Sequence, residues 1–134
     1  MLELGNYVIA SGHYVQIKEL YQDNLMIEYP DRTRVTTEYS NIRFVELGSD
    51  VLKKLYDGAD PVCRLIKVTD HPLHRKEEFE IDLRGKKFRL HGYLYNDISV
   101  WSFINTFTLH YVHQLQNAVS ILNPAVELTL YQAP

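Results

Sequence analysis

The chain predicts an α+β fold in which a small antiparallel barrel, formed by residues 1–47, packs on an antiparallel sheet that carries one long helix. Three observations point there. Short runs of alternating apolar residues are cut by turn residues through the first third of the chain. A charged hairpin follows in the second half, and near the carboxy end the apolar period changes from two to between three and four. The 134 residues are enough to bury roughly two-thirds of the unfolded surface without disulfide or metal staples. With 46% hydrophobic and 23% charged residues, the composition is that of a globular protein and excludes wholesale disorder. No run approaches the roughly 18 apolar residues of a membrane-spanning helix.

In the first 47 residues, Tyr7-Val8-Ile9-Ala10 stops at Ser11-Gly12. Val15 and Ile17 alternate with Gln16 and Lys18, and Leu25, Ile27 and Tyr29 with Met26 and Glu28, before Pro30-Asp31 opens a turn. Arg32 to Thr37 is rich in β-branched residues, and Ile42-Arg43-Phe44-Val45 supplies a fifth strand after Tyr39-Ser40-Asn41. Five short strands in so few residues resemble an SH3-like barrel. At residues 48–60 the rhythm changes. Ser49 or Asp50 is placed to cap a short connecting helix whose Val51, Leu52, Leu55 and Tyr56 share a face, with Gly58 and Pro61 ending it.

Residues 61–134 read as an antiparallel sheet with a helix on it. Val62 to Thr69 is a strand and Asp70 to Glu78 a polar loop. In the hairpin, Phe79, Ile81 and Leu83 alternate with Glu80 and Asp82, and Phe88, Leu90 and Leu94 alternate with charged or tyrosine positions. A four-residue loop, Arg84-Gly85-Lys86-Lys87, sets Leu83 opposite Phe88, Asp82 opposite Arg89, Glu80 opposite His91 and Glu78 opposite Tyr93. Asn96-Asp97 turns the chain into a strand from Ile98 to Trp101. Over 111–122, Tyr111, Val112, Leu115, Ala118, Val119 and Leu122 fall on one side of a helix. His110, His113, Gln114, Gln116, Asn117 and Ser120 fall on the other, and Asn123-Pro124 stops it. Val126, Leu128 and Leu130 form a last strand, expected to join the second sheet. No Gly/Ser/Pro-rich linker separates the halves, so they are expected to pack together.

The net charge of −3 provides no global attraction to phosphate. The amino terminus lacks the basic start and apolar centre of a secretory signal, which makes a cytoplasmic setting the expectation. Cys63, the single cysteine, cannot form an internal disulfide and sits among Val62, Leu65, Ile66 and Val68 as a small hydrophobe. Ten of the sixteen aromatic residues are tyrosines, a residue whose apolar face and polar tip suit half-exposed sheets and contact surfaces.

Tyr111-Val112-His113-Gln114-Leu115-Gln116-Asn117, followed by Glu127-Leu128-Thr129-Leu130, resembles the carboxy-terminal signature of an uncharacterised family of small proteins. That family is carried by gut-dwelling anaerobic bacteria, their prophages and mobile elements. Leu2, Gly5, Asn6, Tyr7 and Val8 match its amino-terminal element. The segment Thr37-Glu38-Tyr39-Ser40-Asn41-Ile42, leading into Val45-Glu46-Leu47, resembles its middle. Asn123-Pro124 departs from the small-residue turn common before the family's last strand, and Pro61 to Lys76 matches nothing in the pattern. The resemblance implies a phage or mobile-element origin and brings no activity, cofactor or partner with it.

Three surfaces are candidate sites. On the polar helix face, His110, His113 and Asn117 share one sector with Gln114 at its margin, a set able to recognise a ligand or to anchor the helix to its neighbours. It lacks the carboxylate or thiol that a metal site needs as a third ligand. On the outer hairpin face, Lys87, Arg89, His91, Tyr93 and Tyr95 share one parity, the arrangement on which single-stranded bases stack, but Glu78, Glu80 and Asp82 face them and favour cross-strand ion pairs. In the loop, Asp70, His71 and His74 with Glu77 and Glu78 offer metal or acid–base groups on a segment that Pro72 holds extended. No phosphate loop, nucleophile elbow, paired-cysteine zinc motif or calcium loop is present. The expected function is a non-enzymatic interaction module for a protein partner or for self-association, with neither cofactor nor membrane contact. Single-stranded nucleic-acid binding is the alternative, and a histidine-dependent metal enzyme the second alternative.

Overall fold

The computed structural model describes residues 1–96 and 98–132. It is α+β and dominated by antiparallel strands, arranged in three sheets with one helix of more than two turns.

The first sheet contains β1 (Tyr7–Ala10), β2 (His13–Leu20), β3 (Asn24–Glu28), β4 (Arg34–Glu38) and β5 (Arg43–Phe44) in the order β4-β3-β2-β1-β5. A 3₁₀ turn, Tyr39–Asn41, separates the last two. Alternation places Val8, Ala10, Val15, Ile17, Leu25 and Ile27 in a small core of their own. The expected barrel is not closed: among the described residues β4 pairs only with β3 and β5 only with β1. The apolar pattern specifies strands and faces, whereas closure depends on tilt and stagger that no alternation encodes.

The second sheet, in the order β12-β11-β10-β9-β8, is built from β8 (Cys63–Asp70), β9 (Arg75–Leu83), β10 (Lys86–Tyr95), β11 (Ile98–Phe103) and β12 (Phe107–Leu109). Its inner face buries Phe79, Ile81, Leu83, Leu90, Trp101 and Phe103. Gly92 lies opposite Trp101, whose ring stands 2.5 Å from where a Cβ at position 92 would lie, so only glycine fits there. The hairpin register is two residues tighter than expected, with Lys86 opposite Leu83, Arg89 opposite Glu80, His91 opposite Glu78 and Tyr93 opposite Lys76. The cause is a two-residue turn: Arg84 and Gly85 both adopt left-handed backbone, with φ of 55° and 95°, the conformation of the tight hairpin turn that matches strand twist. A shift of two preserves parity, so each side chain stays on the expected face. Asp97, assigned to the next turn from sequence, lies outside the described residues.

The third sheet was not anticipated. The expected helix over 48–60 is a single turn, α1 (Ser49–Leu52), with no side-chain cap from Ser49 or Asp50. Leu55 and Tyr56 belong instead to β6 (Leu55–Asp57), which pairs with β7 (Asp60–Pro61) and with the final strand β13 (Leu128–Leu130). The last strand therefore joins this small sheet and not the second one. Helix α2 (Val112–Leu122) falls within a residue of the expected span. It docks into the main core with Val112, Leu115, Ala118 and Val119, beside Tyr7, Val45 and Leu47 from the first half and Leu52, Leu55 and Val126. The first half thus contributes to this main core and also keeps a small core of its own.

Candidate functional site

The residues singled out on α2 form a joint between chain segments far apart in sequence. Gln116 Oε1 accepts the Tyr7 N–H at 2.9 Å, while its Nε2 donates to the carbonyls of Gly5 at 3.1 Å and Leu128 at 3.2 Å. Asn117 Oδ1 accepts from Asn6 Nδ2 at 2.9 Å, and its Nδ2 donates to the Met1 carbonyl at 2.9 Å. Gln114 Oε1 takes the N–H groups of His110 at 2.7 Å and Tyr111 at 3.1 Å, satisfying donors at the helix entrance. Segment 45–47 holds the same entrance by backbone, through Val112 N–H to Val45 O at 2.8 Å and Leu47 N–H to His110 O at 3.0 Å. Gly5-Asn6-Tyr7 and Gln116-Asn117, near opposite ends of the chain, are thus hydrogen-bonded to each other.

Of the two histidines in this sector, His113 is covered by its neighbours. It is buried, with its ring stacked 5.7 Å from Tyr111 and tilted 4.7 Å from Phe44. Burial, with the positive amino terminus adding to it, pushes its pKa down to about 4, so the ring is neutral near pH 7. Only His110 of the proposed sector is exposed. The helix has a second covering layer, β5 and the first residues of the chain, where a one-sided amphipathic helix would have water.

The outer hairpin face is assembled as its parity predicts. Lys87, Arg89, His91, Tyr93 and Tyr95 lie on one side of β10. Its cations are largely engaged: Glu80 takes Arg64 at 3.1 Å and Lys87 at 3.7 Å, and Glu78 lies 3.7 Å from Lys76 and 3.3 Å from His91 Nδ1. Lys76 also sits over the Tyr93 ring at 5.6 Å. At one end of this face the rings of His71, His74 and Tyr95 form a stacked column with spacings of 4.4 and 5.1 Å.

The expected loop 70–78 shrinks to residues 71–74, because β8 runs to Asp70 and β9 starts at Arg75. Glu77 is buried on the inner side of β9 and Glu78 points outward, so the loop histidines and these carboxylates do not converge. Among the described residues no three metal-ligating side chains come together. Cys63 is half-buried, and burial pushes its thiol pKa up to about 12, which removes it as a nucleophile near neutral pH.

Among the described residues, two open clefts bear on function. A polar one of about 680 Å³ lies between the first and third sheets, and two of its carboxylates are held by arginines. Glu28 is held by Arg32 at 3.3 Å and Arg34 at 2.9 Å, and Asp57 by both ends of the Arg84 guanidinium at 2.9 and 3.3 Å. These partners lower the pKa of both carboxyls. The other groove, also about 680 Å³, runs beside β5. Tyr14, Tyr39, Phe44 and Tyr111 line it over Leu2, Ile9, Ile42 and Val51, with Arg43 and Glu46 at its rim. Sequence reading missed it, since its residues come from β2, β5, the 3₁₀ turn and the start of α2. The one available signal was Phe44, an aromatic residue on a strand too short to cover it.

Comparison with protein-family models, with curated proteins and with solved structures finds no match in any of the three.

Proposed function

We propose that the protein is a non-enzymatic interaction module that takes an extended segment of a protein partner into the aromatic groove beside β5. The observation that carries this is the groove itself: four aromatic rings held on packed elements, with Phe44 43% exposed. Exposed aromatic rings on a rigid frame gain contact area at little entropic cost, and grooves of this kind suit extended apolar or proline-containing segments. A free strand edge at β5 adds backbone donors and acceptors next to the rings. The strand order β4-β3-β2-β1-β5, with a 3₁₀ turn before the last strand, supports an SH3-like reading of this half with its sheet left open. Membership of the phage-associated family rests on the residues named above, and a cytoplasmic setting on the lone unpaired cysteine.

Selection from a random-peptide library against the wild-type chain, with Phe44→Ser as counter-target, tests the proposal. The expected binders lose at least about tenfold in affinity on Phe44→Ser, which corresponds to roughly 1.4 kcal/mol. They also shift the amide resonances of Tyr14, Tyr39 and Tyr111. A library that yields only binders indifferent to Phe44 removes the proposal.

Single-stranded nucleic acid at the outer hairpin face is a second reading, supported by the exposed stack of His71, His74 and Tyr95 beside Tyr93 and Arg89. The carboxylates of Glu78 and Glu80 already neutralise Lys76, Lys87 and Arg64 on that face. Binding there is therefore expected to depend on stacking and to be weak. Fluorescence anisotropy of labelled oligonucleotides at low and moderate salt decides it, and no binding at low salt ends this reading.

A further inference from the structure

We infer that β4 is a self-pairing edge through which two copies of this chain associate, antiparallel and centred on Thr36. This surface is separate from the aromatic groove, and the peptide selection above bears on neither its existence nor its absence.

Among the described residues the first two sheets end at β4, β5, β8 and β12, and only β4 and β8 are longer than three residues. An unpaired edge offers a row of backbone donors and acceptors to another strand unless a bulge or a charge blunts it. β8 is blunted in both ways. Its register is interrupted between Leu65 and Lys67, and it presents Arg64 and Lys67 with Asp70 as its one acid. β4 is not blunted. It pairs with β3 in unbroken register from Asn24↔Glu38 to Glu28↔Arg34, contains no proline, and four of its five residues are exposed. Its sequence, Arg34-Val35-Thr36-Thr37-Glu38, favours a strand through three consecutive β-branched residues.

Charge then selects the occupant and the register. A two-fold axis at Thr36 sets Arg34 of each copy opposite Glu38 of the other, Val35 opposite Thr37, and Thr36 opposite itself. Both ends of the paired ribbon carry an opposite-charge cross-strand pair. A one-residue slip loses both pairs, so the register is specified. Arg34 is free to serve: it holds Glu28 through Nε, which leaves its terminal nitrogens available, and its side chain is 56% exposed. Glu38 has no ion-pair partner among the described residues and is exposed. Val35, 38% exposed, gains cover from Thr37 of the second copy. The pairing joins two five-stranded sheets into one of ten strands. A five-residue edge buries less than a standard interface, so the association is weak, with a dissociation constant in the high-micromolar to roughly millimolar range.

A cysteine scan across Arg34, Val35, Thr36, Thr37 and Glu38, one position at a time, reads the geometry directly. Directly opposed residues of an antiparallel pair have Cα atoms roughly 4.5–5.5 Å apart, within disulfide reach. Thr36→Cys is expected to form an interchain disulfide fastest under mild oxidation, at least about tenfold faster than Arg34→Cys, with the unsubstituted chain as the Cys63 control. A flat profile, or a maximum elsewhere, overturns the inference. Sedimentation at high concentration supplies the charge test. Wild type is expected to show a concentration-dependent mass that Glu38→Lys loses, with unchanged melting, and mixing Glu38→Lys with Arg34→Glu is expected to restore a dimer. A wild-type chain that remains monomeric to roughly millimolar concentration, or a dimer indifferent to Glu38→Lys, overturns it. Should Arg34→Glu fail to fold for want of its contact with Glu28, the cysteine profile still decides.

Discussion

The polar face of α2 carries amides and the outer face of the β9–β10 hairpin carries charges, and the two do different work. Gln116 and Asn117 reach backbone and amide groups in Met1, Gly5, Asn6, Tyr7 and Leu128. Their partners are fixed, part-buried and distant in sequence. On the hairpin, Glu78 and Glu80 meet Lys76, His91, Arg64 and Lys87 across or along strands at the surface. A polar residue that leaves a buried group unsatisfied when removed is structural whatever its chemistry, whereas one whose partner returns to water is nearly free to change. The difference lies in what covers each face as well as in residue type.

The largest effect expected on either face comes from the hairpin's buried side. Gly92→Ala drives a methyl group into the Trp101 ring and is expected to cost about 3 kcal/mol or more by overpacking, measured by chemical denaturation. Gln116→Ala follows at about 2–3 kcal/mol, because a backbone N–H and two carbonyls lose their partner together. A loss below about 0.5 kcal/mol at Gln116 erases the distinction between the two faces.

How much of this was readable in the chain follows the same line. The alternation in β1–β3, β9 and β10 named the buried residues, and the period change named α2 to within a residue, because each signal is local. The burial of His113 was not readable. Helical projection places it opposite Leu115, and the rings of Phe44 from β5 and Tyr111 at the helix entrance cover it. The small sheet that joins Leu55–Asp57 to Leu128–Leu130 spans more than seventy residues, and its β6 strand carries an apolar spacing that fits a helix equally well. The two-residue turn at Arg84-Gly85 was hidden because Arg84 takes a left-handed conformation that its residue type rarely adopts. The groove escaped for the opposite reason: no single element contains more than a fragment of it.

Acid sharpens the comparison further. The His113 pKa is about 4 when folded against the ordinary 6.5, so the unfolded chain takes up the proton first. Stability from this residue is full above about pH 6.5, falls as pH drops toward 4 and levels off below that. The expected loss between pH 7 and pH 5 is about 2 kcal/mol. His113→Phe is expected to flatten this slope in denaturation curves. Equal slopes in the two chains would place the pH dependence elsewhere.

The smallest effect is the most discriminating for the outer face. Glu80 serves Arg64 and Lys87 at once, yet both cations are well exposed, at 71% and 59%. Two screened surface contacts stabilise by less than about 1 kcal/mol together. Glu80→Gln should therefore barely move the melting temperature, and the residual difference from wild type should shrink further as salt is raised. The same variant removes the carboxylate that holds Arg64 and Lys87, further along the face that carries Tyr93 and Tyr95, and so lifts part of the neutralisation that holds phosphate off. If Glu80→Gln gains salt-sensitive binding to a labelled single strand while wild type shows none, the ion pairs are what keep this surface from nucleic acid. If neither chain binds, the tyrosines there serve the sheet alone.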